Sequence, residues 1–569
     1  MESGTVEQVS ADQPAALSAA TLCEAFQITA AERPGDVALR TPGGAVEITW
    51  RELSDRVRRI AAGLASLGVQ RGDTLALMLV NRPEFNVADA GAMHLGATAF
   101  SVYNTCTPEQ VEFLFGNAGN RVVITERQFL PVVRAAQQSS PGLEHVVLVD
   151  GEEEGTISLD RLEQMGDAGF DFEAAWRAVE PDDVLTLIYT SGTTGPPKGV
   201  QLTHRNLMAE IRGVADRLPT KPGGRIVSFL PSAHVADRWA SQYQSLIVFG
   251  FTLTCLDDPR AIIQTLPEVR PTAWGSVPRI WEKLKAGLEA QGLTDPAALP
   301  EEHKAAVRAK LGLDECSWLV VGAAPTPVEV LAYFDALGLP ICELWGMSET
   351  SSCATINPPG AIKVGTCGTP ILGVELKLAE DGELLVRGEV VMTGYRGDPE
   401  KTREALDPDG WLHTGDIAEI DDDGYVKIVD RKKELIINAA GKNMSPVNIE
   451  ARLKSAHPLI GTAVAIGDRR PYNVALVVLD PDVTAAFASE HGIEDASAAA
   501  MAQNESVQEA IKAAVEEANS HLSRVEQIKK FAILGDEWQP GGEELTPTMK
   551  LKRKPIAEKY AAEIERLYA

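Results

Sequence analysis

The chain has 569 residues, 44% of them hydrophobic and 24% charged, with a formal net charge of -28. That length exceeds one ordinary core and predicts more than one folded domain, and the acidity excludes nonspecific nucleic-acid binding through a global positive field. The seven cysteines are dispersed without a C-x-x-C pair and the nine histidines show no paired ligand spacing, which argues for reduced thiols in a cytosolic protein and against a structural zinc site.

The opening MESGTVEQVSADQ has neither a basic start nor an apolar stretch, so no secretory leader is expected. No apolar run is long enough to span a bilayer; peripheral membrane contact stays open, and oligomeric state is not legible. A helix is predicted after Thr49, where Leu53, Val57, Ile60, Leu64 and Leu67 recur at helical spacing and Gly68 is a natural stop. Another starts at Thr107, with Pro108 in the first turn and Gln110 placed for a capping box. Short apolar runs at 184–190, 226–230, 318–321, 464–466 and 474–479 read as strands covered on both faces. Their alternation with helical patterns predicts an α/β fold. From about residue 375, ELLVRG and YVKIVD alternate with the turn signals Asp381-Gly382, Asp409-Gly410 and Asp423-Gly424, which predicts a smaller β-rich unit closing the large domain. After the charged run Asp430-Arg431-Lys432-Lys433-Glu434 about 135 residues follow, the size of one small domain. We therefore divide the chain into 1–432 and 433–569.

The most informative segment is Tyr189-Thr190-Ser191-Gly192-Thr193-Thr194-Gly195-Pro196-Pro197-Lys198-Gly199, directly after a buried-strand pattern. Glycines permit close backbone approach, hydroxyls and N–H groups can surround phosphate oxygens, and Lys198 adds positive charge. It is not a Walker A loop, since no Gly-Lys-Ser/Thr stands at the required spacing. The string resembles the signature loop of the adenylate-forming superfamily, which includes acyl-CoA synthetases, luciferases and peptide-synthetase adenylation domains. The resemblance covers nearly the whole chain, and further motifs follow in the family's order.

The resemblance implies a large N-terminal domain holding the ATP and acyl sites, and a small mobile α+β C-terminal domain. It implies that Thr190, Ser191, Gly192, Thr193, Thr194, Gly195 and Lys198 bind ATP phosphates, and that the loop Gly322-Ala323-Ala324-Pro325 separates the adenine and acyl sites. Trp345-Gly346-Met347-Ser348-Glu349-Thr350 is similar to the second nucleotide motif, whose Glu carries magnesium, so Glu349 inherits the metal role. The family has Tyr where Trp345 stands and Thr where Ser348 stands; Trp345 is read either as an adenine platform or as a core aromatic. In Trp411-Leu412-His413-Thr414-Gly415-Asp416 the last residue would hold both ribose hydroxyls, with Arg431 beside it.

Lys433 matches the hinge, Gly441 the glycine on the pantetheine path, and Lys550 the catalytic lysine of adenylation. Lys552, Arg553 and Lys554 are unassigned cations that could meet coenzyme A phosphates. The segments 230–238, 277–283 and 357–366 resemble the long-chain acyl branch, with His234 near the carboxylate and Trp239, Tyr243 and Phe249 as candidate acyl-tunnel linings. The expected activity is ATP-dependent joining of a medium- or long-chain fatty acid to coenzyme A, with magnesium, through acyl-AMP. The alternatives are a fatty acyl-AMP ligase serving a carrier protein, a ligase for aromatic or other carboxylic acids, a luciferase-like oxygenase, or a silent nucleotide- or lipid-binding protein.

Overall fold

The computed structural model describes residues 13–190, 196–439, 442–546 and 549–569. Local signals set the first long helices. Trp50–Ser66 starts at a capping box in which Thr49 Oγ1 accepts from the Glu52 N–H and the Glu52 carboxylate accepts from the Thr49 N–H. Pro108–Ala118 repeats the device with Thr107 and Gln110, and stops at Gly119 with φ 73°.

Among the described residues the largest sheet has eight strands. Thr98–Ser101, Thr74–Met78, Val122–Thr125 and His145–Leu148 run parallel at its centre, nearly all buried as continuous apolar runs. Val184–Thr190 and Lys198–Thr203 form an antiparallel pair at one side, and Gly394–Tyr395, from far along the chain, closes that edge. A five-stranded sheet carries Ala273–Ser276, Trp318–Val321 and Ile341–Trp345 in parallel. The β-rich unit expected after residue 375 is a four-stranded antiparallel sheet of Glu375–Leu378, Glu383–Arg387, Leu412–Ile420 and Val426–Arg431. Gly382, Gly410 and Gly424 take φ of 81–83° at its turns. These findings make the chain the mixed α/β protein expected.

The strand expected over 226–230 stops at Ser228. The Asn81 amide donates to Ser228 Oγ at 2.7 Å and to the Leu230 carbonyl at 2.8 Å, and Pro231 has no N–H with which to continue a ladder.

Past residue 433, Ile460–Ile466 and Asn473–Leu479 pair antiparallel, and Ile528–Leu534 adds in parallel. Among the described residues the apolar clusters separate here: those of the large part draw on nothing beyond Ile428, and those of the tail begin at Ile436. The two parts touch where Arg279 and Lys283, on the helix Pro278–Glu289, meet Asp480 and Asp482 at the start of the helix Pro481–His491. No helix among the described residues is long and apolar enough to cross a membrane.

Candidate active site

The strand Val184–Thr190 delivers Thr190 to the head of the sheet, and the return strand begins at Lys198, paired with Thr190 in register. Ser191, Gly192, Thr193, Thr194 and Gly195 lie outside the described residues. Lys198 Nζ donates to the Tyr395 hydroxyl at 3.0 Å, and that hydroxyl donates to Glu349 Oε1 at 2.8 Å. Burial lowers the Lys198 pKa, against the pull of Glu349, which raises it. Glu349 sits on the short turn Ser348–Thr350, where Met347 N–H donates to Thr350 Oγ1 at 3.0 Å. Gly346 is required: a Cβ there would stand 1.9 Å from the Ser352 carbonyl oxygen. Among the described residues no group of three or more His, Cys, Asp or Glu could hold a metal. A single hard carboxylate, Glu349, linked to Lys198 through the Tyr395 hydroxyl, still fits magnesium, which keeps water and takes substrate phosphates alongside one or two protein carboxylates.

Trp345 ends the strand Ile341–Trp345, buried, and its indole Nε1 donates to Asp416 Oδ2 at 3.0 Å. The other carboxylate oxygen of Asp416 pairs with Arg431 Nε at 2.7 Å. Burial raises the Asp416 pKa and Arg431 pulls it back down. The buried Trp345 ring thus holds one oxygen of Asp416 by its edge.

Ala323 holds φ 70°, a left-handed conformation that costs a residue with a Cβ, in the exposed loop after Trp318–Val321. Gly322 packs so closely on Leu344 that a Cβ would stand 2.7 Å from its side chain. Ala324 is exposed in the same loop.

His234 Nδ1 accepts from the Ala236 N–H at 3.2 Å, which places the proton of the neutral ring on Nε2. Burial, with the charge of Lys550 adding to it, pushes its pKa down to about 4, so the ring is neutral near pH 7. The residues after it are tied into the interior. Trp239 Nε1 donates to Gln244 Oε1 at 3.0 Å. The Tyr243 hydroxyl accepts from Arg238 Nε at 3.0 Å, and Arg238 is ion-paired with Asp89, both about 1% exposed. Phe249 packs edge-on against Phe251.

Lys550 directly precedes Leu551, which bridges to Leu545, and its own N–H donates to Thr546 Oγ1 at 2.9 Å. The preceding Met549 holds φ 64°. As a residue Lys550 is exposed, yet desolvation of its amine lowers its pKa. Arg431 adds to that effect, while Asp416, Glu349 and Glu434 oppose it. Lys550 thus shares its electrostatic surroundings with the Glu349 and Asp416 carboxylates. Lys433 is exposed in the turn that follows Val426–Arg431; Gly441 lies outside the described residues. Two of the unassigned cations are committed within the tail: Arg553 to Glu434 at 3.0 Å and to Glu450 at 2.6 Å, and Lys552 Nζ to the Gly542 carbonyl at 2.7 Å. Lys554, 73% exposed, is the one left open to solvent among these three.

Sequence reasoning passed over several side chains here. Tyr395 is one; its only sequence mark is a Gly-Tyr pair. Asp237 is another: it accepts from Ser228, Ser232 and Ser241 at 2.9–3.1 Å, and burial raises its pKa to about 6. Glu343 is buried two residues before Trp345, its pKa raised by burial to about 7, and accepts from the Gly365 N–H at 3.2 Å.

The AMP-binding enzyme family model matches residues 26–396, and the model for the AMP-binding enzyme C-terminal domain matches 433–569. The protein fadD11 of Mycobacterium tuberculosis (strain ATCC 25618 / H37Rv) is 50% identical over 452 residues, covering 73% of this chain and 79% of its own. The long-chain-fatty-acid–CoA ligase FadD15 of the same strain is 37% identical over 562 residues, 92% of each chain. The long-chain-fatty-acid–CoA ligase ACSBG2 of Gallus gallus is 31% identical over 621 residues, 96% of this chain and 81% of its own. Among solved structures, the adenylation domain of a carboxylate reductase from Mycobacterium chelonae superposes with TM-score 0.81 at 20% identity, over 98% of this chain and 94% of that one. The anthranilate CoA ligase AuaEII superposes with TM-score 0.77 at 22% identity, over 95% and 98%. The structural likenesses carry the fold.

Proposed function

The chain belongs to the AMP-binding enzyme family, and from that premise we propose that it joins a medium- or long-chain fatty acid to coenzyme A through an acyl-AMP intermediate. The observation that carries this is the gathering of Lys198, Glu349, Asp416, Arg431 and Lys550 in one electrostatic neighbourhood, linked through Tyr395 and the Asp416–Arg431 pair, in a chain that aligns along nearly its whole length with ligases named for long-chain fatty acids.

In the first half-reaction the acid's carboxylate attacks the α-phosphorus of ATP; an O–P bond forms, and the bond to the β-phosphate oxygen breaks to release pyrophosphate. A carboxylate is already ionised at neutral pH, so the protein's work is alignment and charge compensation. Lys198 and the hydroxyl of Thr190 meet the phosphates; Lys550 meets the α-phosphate from the tail. Glu349 is the residue that would hold magnesium, which when bound neutralises phosphate charge. Asp416, oriented by Trp345 and Arg431, accepts from the ribose hydroxyls. His234, neutral with its proton on Nε2, donates to the acid's carboxyl oxygen. In the second half-reaction the tail turns about Lys433 and withdraws Lys550. The thiol sulfur of coenzyme A then attacks the acyl carbon along a path past Gly441 and gives up its proton to solvent; the C–S bond forms, the bond from the acyl carbon to the AMP phosphate oxygen breaks, and AMP leaves. The partners in this reading are small molecules, with peripheral contact to a membrane surface as one source of the acid.

Pyrophosphate release with ATP, magnesium and an acid panel from acetate through aromatic acids to long-chain fatty acids, with and without coenzyme A, tests it. Fatty acids are expected to give acyl-CoA. Accumulated acyl-AMP indifferent to coenzyme A would move the protein to carrier loading, and no release with any acid would overturn catalysis.

A further inference from the structure

The residues that face phosphate and metal in this reading come from two distant stretches, and a third stretch is fastened to both. Met392 N–H donates to the Glu349 carbonyl at 2.9 Å. The next residues run along the strand that begins at Lys198: Thr393 N–H bonds the Gln201 carbonyl at 3.2 Å, Tyr395 lies in register with Val200, and Arg396 N–H bonds the Gly199 carbonyl at 2.7 Å. This strap sets the phenol of Tyr395, which is 6% exposed, between Lys198 and Glu349.

The chemistry of that phenol is fixed by its neighbours. An ammonium can only donate and an ionised carboxylate can only accept. The Tyr395 hydroxyl therefore accepts from Lys198 at 3.0 Å and donates to Glu349 at 2.8 Å, with the Lys198 ammonium also 4.2 Å from the centre of its ring. It is a neutral spacer inserted into what would otherwise be a direct ion pair.

We propose that Tyr395 is a positioning residue for the adenylation half-reaction, whose hydroxyl keeps Lys198 and Glu349 apart and aimed at the nucleotide. The proposal rests on the ligase reading above. A hydroxyl that merely fills space contributes to stability alone; a spacer governs nucleotide affinity. Without it the ammonium and carboxylate close on each other, and ATP must break that pair before Lys198 can serve a phosphate.

Tyr395→Phe, which keeps the ring and removes one oxygen, is the test. Calorimetry with ATP in EDTA and again with magnesium is expected to show about tenfold weaker binding in both, the scale of a hydrogen bond to a charged group. Acyl-AMP formation should show a raised KM for ATP, thioester formation from supplied acyl-AMP should match wild type, and the thermal midpoint should stay close. In a Lys198→Met background the same change should add nothing to metal-free ATP binding. Should Tyr395→Phe reach too little folded protein for calorimetry, acetylation of Lys198 in the folded fraction, followed by mass spectrometry, is read instead. It is expected to be slower than in wild type before any ATP is added. Wild-type ATP affinity in Tyr395→Phe, equal loss of both half-reactions, or unchanged Lys198 reactivity would each overturn the spacer. Wild-type pyrophosphate release is recorded alongside; its absence sinks the ligase reading, while the metal-free ATP titration still decides the spacer.

Discussion

Glu349 and Lys550 share electrostatic surroundings but are held in opposite ways. Glu349 is 6% exposed and receives the hydroxyl of a tyrosine strapped to the Lys198 strand and to the Glu349 turn. Asp416, 3% exposed, is fixed on both oxygens by Trp345 and Arg431. Lys550 is exposed, follows a left-handed Met549, and belongs to the tail rather than to the large part. Charges set in a packed body are permanent features of a site. A charge on a separately cored tail can be supplied for one step and withdrawn for the next.

The sharpest break in that contrast is Lys550→Ala. Acyl-AMP formation should fall roughly a hundredfold or more, the scale of losing one aimed charge in a site, while thioester formation from supplied acyl-AMP persists. Parallel loss in single-turnover assays of both half-reactions would mean that Lys550 is not a part-time group. On the fixed side, Arg238→Ala removes the buried charge partner of Asp89, which keeps only neutral donors such as Gln242, and should cost about 3–5 kcal/mol in urea unfolding, with the ratio of the two half-reactions unchanged.

Smaller and of definite sign is the pH effect of Glu343. Its folded pKa, about 7, lies above the usual carboxylate value of 4.5, so its contribution to stability is full below about pH 4.5 and is lost as pH rises through 7. Glu343→Gln, which keeps an acceptor for Gly365, should therefore gain on wild type between pH 5 and pH 8 by about 1–3 kcal/mol. Unfolding curves that stay parallel across that range would remove the effect. Least in size, Arg279→Ala releases Asp480 at the seam between the parts. A partly exposed pair is worth about 1 kcal/mol or less, so acyl-AMP formation should slow by a few-fold and thioester formation should not. A change in the reverse direction would show that the Arg279 pair does not favour the seating that brings Lys550 in.

Much of this was written locally. Thr49 and Thr107 announce helices because a cap is a contract between residues three apart, and the β-rich unit is visible in its three Asp-Gly turns. Lys198, Glu349, Asp416, Arg431 and Lys550 each stand in a motif readable in the linear string. Tyr395 was not legible, because its meaning comes from a strand pairing that sets it against a lysine 197 positions away. Arg238 and Asp89 hid for the same reason at a separation of 149. The cluster after Lys550 misled in the other direction: Arg553 reads as a free cation in sequence and is consumed by Glu434 and Glu450 in the fold.

That last contact reaches further than the tail's own stability. Arg553 lies three residues after Lys550, and Glu434 directly follows Lys433, so one guanidinium fastens the lysine's loop to the chain just past the pivot. In the proposed reading, a turn at Lys433 would carry Lys550 with it through this ion pair. On that proposal, precision at the α-phosphate would become a matter of mechanical backlash: with the joint at Arg553 loosened, a turn at Lys433 would still swing while Lys550 would arrive late and scattered.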